Sequence, residues 1–152
     1  MTNSDKLSAT SGFGPQVQAD VQRWLERAVI GLNLCPFAKA VHVKGQIHYA
    51  IYQLDDDAGL LDALLFEAAQ LVAHDPAVRD TTLLVAPHAL PDFLDFNDFI
   101  GRAERRLARA GFEGTLQLAS FHPRFQFAGS DEEDIGNATN RSPYPILDLL
   151  RE

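Results

Sequence analysis

A chain of 152 residues, 46% hydrophobic and 22% charged, has the size and composition of one globular domain. That is long enough to bury about 70% of its unfolded surface without staples. Its net charge of −8 opposes general nucleic-acid binding, which needs a basic footprint, and electrostatic docking on an anionic membrane. The one cysteine, Cys35, cannot form an intramolecular disulfide. No apolar run approaches a membrane span, and residues 1–15 lack the apolar core of a signal peptide, so a cytoplasmic location is expected.

Residues 1–15 read as a disordered lead-in and residues 16–152 as a single α/β domain. Val17, Val21, Trp24, Leu25, Ala28, Val29 and Leu32 form one apolar stripe at helical spacing, with Pro15 just ahead and Gly31, Asn33 and Pro36 as stop signals. His48–Tyr52 favours a strand. Asp55, Asp56 and Asp57 then cap a second helix carried by Leu60, Leu64, Ala68 and Leu71 and ended by Asp75-Pro76. Thr81–Ala86 is apolar without alternation, as a strand covered on both faces would be. Phe96, Phe99, Ile100, Ala103 and Leu107 mark a third helix closed by Gly111, and Thr115–Phe121 a third strand.

The order is an N-terminal helix followed by β-α-β-α-β, which predicts an α/β fold with a small, mainly parallel sheet. Residues 122–145 form a long polar loop, and Ile146–Glu152 reads as the start of a C-terminal helix that is cut short.

In a parallel sheet, ligands bind beyond the carboxyl ends of the strands. His88 follows the second strand and His122 the third, with Arg124 beside it, so these residues are candidates at one edge. His42, His48 and His74 have no comparable placement. Cys35, ahead of Pro36, Phe37 and Lys39, would be a nucleophile if it caps a short helical turn, or a packed core thiol if it does not. Prolines 143 and 145 force an extended path on which Asn140, Arg141 and Ser142 present polar groups. There Arg141 and Arg124 could grip a carboxylate or phosphate, or Tyr144 could simply pin the loop to the body.

Ser130 with Glu133 reads as a helix cap rather than a metal loop. Arg102, Arg105, Arg106 and Arg109 read as a solvated helix face. No glycine-rich phosphate loop, paired-cysteine zinc site or Gly-x-Ser-x-Gly elbow occurs, and no cofactor is predicted.

Trp24, Gly31-Leu-Asn-Leu-Cys-Pro-Phe-Ala38, Lys44-Gly45, Phe121-His122-Pro123, Phe125-Gln-Phe-Ala-Gly129 and Asn140-Arg-Ser-Pro-Tyr-Pro145 together resemble the bacterial domain-of-unknown-function family 1415, from about Val17 onward. The resemblance implies a small cytoplasmic stand-alone domain and carries no activity. It also implies a histidine where this chain has Asp148, and helix beyond Glu152.

Several readings stay open at this level. One is a thiol-dependent enzyme with Cys35 as nucleophile, His122 as acid and base, and Asn140 or Arg141 steadying an oxyanion. Another is a non-catalytic module that binds a small anionic metabolite through His88, His122, Arg124, Asn140, Arg141 and Ser142. Weaker alternatives are a metal-assisted hydrolase using His88, His122 and loop acids, and a protein-interaction domain.

Overall fold

The computed structural model describes residues 13–30, 44–127, 130 and 140–152. Helix α1 (Phe13–Trp24) runs into a π-helical turn at Leu25–Ile30. Pro15 lies in its first turn, where the backbone N–H has no intrahelical partner to lose. The stop signals expected at Gly31, Asn33 and Pro36 lie outside the described residues. Then follow β1 (Ile47–Ile51), α2 (Asp57–Ala73), β2 (Thr81–Val85), α3 (Phe93–Arg109), β3 (Leu116–Phe121) and β4 (Ile146–Arg151).

The aspartates ahead of α2 act as their chemistry dictates. Asp56 is the N-cap, and its Oδ2 accepts the Gly59 N–H at 2.8 Å. Its Oδ1 accepts the Tyr52 hydroxyl at 2.5 Å, so one carboxylate closes the helix and fixes the strand that precedes it. Asp92 caps α3 in the same way, accepting from Asp95 N–H at 3.1 Å. Gly111 sits just past α3 with φ of 94°, a conformation that favours glycine.

The sheet order is β1-β2-β4-β3. β1 and β2 pair in parallel, whereas β4 is antiparallel to both β2 and β3. Two expectations are corrected here. Ile146–Glu152 contributes a central strand rather than a helix, and the sheet is mixed rather than mainly parallel. The first three strands do run the same way, but β4 separates β2 from β3. Ile146, Leu147, Asp148 and Leu149 are all buried, and a central strand covered on both faces reads as a continuous apolar run. Such a run is short enough to pass for a helix start.

Alternate residues divide the core between the two faces. Ala50, Tyr52, Leu84, Leu147 and Leu149 meet Leu60, Leu64 and Leu71 of α2 and Phe96, Phe99 and Leu107 of α3. Ile51, Leu83, Val85 and Ile146 meet Val17 and Val21 of α1, with Trp24, Phe121 and Tyr144 packed beside them. Arg151 fastens the far end of β4: its Nη2 lies 2.7–2.9 Å from the carbonyls of Leu71 and His74, where α2 stops, and of Arg79, ahead of β2.

Gly59 lies under Tyr52, and a Cβ there would overlap the Tyr52 hydroxyl and crowd the Asp56 carboxylate. Gly59→Ala is therefore expected to destabilise the fold by about 2 kcal/mol despite alanine's better helix propensity. Urea denaturation checks this, and a neutral or stabilising result would show that Tyr52 moves aside freely.

Candidate functional site

The first three strands end at one edge of the sheet, and the residues leading into β4 arrive at that same edge. This places His88, His122, Arg124, Asn140, Arg141 and Ser142 there, although they come from three separate stretches of chain. Within the edge they part company.

His122 is 1% exposed and turns toward α3, with its ring 4.8 Å from Phe96 and 5.5 Å from Phe93 between centroids. Its Nδ1 accepts the Arg124 backbone N–H at 3.0 Å, so the proton sits on Nε2, which donates to the Leu90 carbonyl at 2.9 Å. Burial holds its pKa below the ordinary histidine value, against the raising effect of the Leu90 carbonyl. His122 is thus a neutral imidazole bridging the end of β3 to the loop before α3. Leu90 carries a positive φ of 51°, an uncommon conformation for leucine, in offering that carbonyl.

Asn140 continues the tie: its carbonyl accepts the His122 N–H at 3.0 Å and its Nδ2 donates to Ser120 O at 2.9 Å. His88 is exposed in the turn after β2, and Arg124 is exposed beyond His122.

Arg141 and Ser142 lie on the other face. With Pro143 and with Asp20, Arg23, Trp24 and Arg27 from α1 and the turn after it, they line a shallow cleft of about 430 Å³. Arg141 Nε donates to Phe125 O at 2.9 Å, and Ser142 Oγ donates to Tyr144 O at 2.5 Å, so both side chains are anchored. Asp20 accepts from the Tyr144 hydroxyl at 2.6 Å, Gln16 at 2.9 Å and Arg23 at 3.1 Å. The Tyr144 bond holds the Asp20 pKa below its usual range, while burial and then Asp20 push Tyr144 up to about 12. Trp24 packs edge-on against Phe121 at 5.3 Å between centroids.

Asp20, Arg23, Trp24 and Arg27 escaped the sequence reading as site residues. Their separations of three and four residues put them on one side of a helix, and that was the available signal. Cys35 and its neighbours through Lys39 lie outside the described residues, as do His42 and Glu133. Ser130 Oγ donates to Phe127 O at 2.7 Å. Among the described residues, no three His, Cys, Asp or Glu side chains converge on a metal position. No helix of these residues is long and apolar enough to cross a membrane.

Two further titratable groups are buried away from the cleft. Glu67 lies 3.5 Å from His48 and 3.9 Å from Arg79. Burial outweighs the attraction of Arg79 and His74 and raises the Glu67 pKa, while burial and then repulsion from Arg79 and His74 lower His48 to about 4. Asp148 sits mid-strand on the α1 face between Leu83 and Ala119. Burial lifts its pKa to about 7 against the lowering effect of Thr81. Thr81 Oγ1 is 2.7 Å from both Asp148 Oδ1 and the Leu149 carbonyl. A hydroxyl has one proton: Thr81 donates it to Asp148 when the carboxyl is ionised, which is the lowering effect, and to Leu149 when protonated Asp148 donates to Thr81 instead.

The native state therefore holds the Asp148 proton between pH 4 and 7 while the unfolded chain has released it. The contribution of Asp148 to stability should fall as pH rises through that window, by up to ~4 kcal/mol, and level off above it, while His48, with its pKa depressed to about 4, contributes the opposite slope. Urea denaturation from pH 4 to 8 checks this. The stability of the wild type relative to Asp148→Asn should fall across that range, leaving Asp148→Asn the more stable protein at pH 8; equal slopes in both would locate the proton elsewhere.

The sequence matches the family described as "Protein of unknown function (DUF1415)" over residues 16–152, and the chain belongs to that family. No curated protein and no solved structure matches it.

Proposed function

We propose that this member of the DUF1415 family binds a small oxyanion, a carboxylate or phosphate carried by a metabolite, in the cleft between α1 and the strap that leads into β4. One observation carries the reading: Arg23, Arg27 and Arg141, from stretches far apart in sequence, line a single cleft in a protein of net charge −8. Guanidinium groups are planar forks that match carboxylate and phosphate oxygens. Bringing three together costs Coulomb energy that a bound anion would offset. Asp20, the one carboxylate among the described lining residues, pairs with Arg23 and also accepts from Tyr144 and Gln16, so an anion would be met chiefly by Arg27 and Arg141. Trp24 and Pro143 supply an apolar wall for the rest of the ligand, and Ser142 a short polar group at its base.

In this reading His122 and Asn140 hold the strap in place, while Arg124 and His88 stand outside the cleft wall. Thiol chemistry at Cys35 with His122 as acid and base would require one of the two ring hydrogen bonds to open first.

Trp24 is the only tryptophan in the chain, so its fluorescence reports on the cleft directly. Inorganic phosphate, pyrophosphate and citrate are the probes. At least one is expected to change the emission saturably, with affinity falling as salt rises. Arg141→Gln and Arg27→Gln should each weaken binding roughly tenfold. The absence of a saturable response to all three probes at low salt would sink the proposal, as would wild-type affinity in both variants.

A further inference from the structure

β3 is an edge strand, and its backbone shows which of its groups face outward. Glu152 N–H donates to Thr115 O at 3.0 Å, so Thr115, Gln117, Ala119 and Phe121 turn their backbone groups toward β4. Leu116, Leu118, Ser120 and His122 turn theirs away. Both ends of that outer edge are closed. Leu116 N–H donates to Phe112 O at 2.9 Å, and Asn140 takes the Ser120 carbonyl and the His122 N–H. Between these closures, the Leu116 carbonyl, both backbone groups of Leu118 and the Ser120 N–H meet no partner among the described residues. The strand Leu-Gln-Leu-Ala-Ser-Phe carries no charge, proline or glycine, the devices that usually protect an edge.

Beside this window lies a groove of about 370 Å³. Leu107, Phe112 and Leu118 give it apolar walls, and Glu104, Glu113 and Glu152 are its charged lining residues. At the other end of the same edge, Arg124 is exposed.

We propose that β3 pairs antiparallel with β3 of a second copy about a two-fold axis at Leu118, joining the two sheets into one of eight strands. The open groups are self-complementary under that axis. Each Leu118 exchanges both hydrogen bonds with the partner's Leu118, and each Ser120 N–H donates to the partner's Leu116 carbonyl. The two groups this register leaves over, Leu116 N–H and Ser120 C=O, are those already held by Phe112 and Asn140. The same register sets Phe112 opposite the partner's Arg124, which brings a cation to the acidic groove beside Glu113. A parallel arrangement would set acid against acid.

Sedimentation equilibrium on the full chain tests this. A concentration-dependent dimer is expected. Leu118→Pro should abolish it with an unchanged circular dichroism spectrum, because the Leu118 N–H points away from β4 and proline is tolerated there. Glu113→Arg and Arg124→Glu should each raise the dissociation constant about fivefold, and the double variant should recover most of the loss. The charge pair keeps the test decisive if the proline variant fails to fold. A wild-type monomer at millimolar concentration overturns the proposal and leaves the edge to a strand of another protein. A dimer indifferent to all these changes overturns it as well, since it would use a different surface.

Discussion

The insertion of β4 between β2 and β3 is the constraint on which the rest of this structure depends. A strand entering a sheet at its centre must find hydrogen-bond partners on both sides and an apolar neighbourhood on both faces. The six residues from Ile146 supply this, with Ile146 and Leu147 on opposite faces and a ladder to each neighbour. Arg151 secures the far end on carbonyls where α2 stops and ahead of β2. Because β4 runs against its neighbours, the chain has to reach the carboxyl edge of β1–β3 before it can enter. The polar stretch Asn140–Pro145 is therefore delivered to the edge where α/β sheets hold their ligands.

That entry explains how the edge residues divide. Asn140 is on the outer side of β3, bonded to Ser120 and His122, and a few residues later the chain pairs with the inner side of the same strand. The strap thus crosses over the end of β3. His122 turns to the α3 face and joins the end of β3 to the loop before α3, while Arg141 and Ser142 come down on the α1 face beside Trp24. A histidine with both nitrogens engaged and its charge disfavoured by burial is suited to holding a loop. Arginines around an open cleft are suited to meeting a ligand.

Much of this was legible in the sequence, for physical reasons. The aspartate cap ahead of α2, the glycine after α3 and the fully buried Thr81–Val85 strand are local signals, and the structure realises each one. The placement of His88, His122 and Arg124 at one edge followed from strand direction alone. What the sequence hid was non-local. Ile146–Arg151 has the same apolar content as a helix start, and only the vacancy between β2 and β3 decides its conformation. Arg23 and Arg27 lie off the apolar stripe that α1 carries, with no signal beyond their helical spacing. They become cleft residues only because the strap brings Arg141 against α1.

The placement of charge bears on both faces. Asp148 shows what burial does to an acid with only a hydroxyl for company: the neutral form is favoured, and a proton completes the Thr81–Leu149 chain. Asp20 shows the opposite, an accessible carboxylate given three donors and kept ionised. The first contributes no charge to the interior of the sheet at low pH, and the second spends its charge within α1 and on Tyr144. Of the cleft arginines, Arg23 is the one paired with Asp20. In a chain with eight more acidic than basic side chains, a concentration of positive charge at one cleft is a local arrangement that average composition cannot produce. The proposed ligand recognition on the α1 face would account for it, and the anchoring bonds of Arg141, Ser142 and Tyr144 fix the geometry of the cleft beforehand.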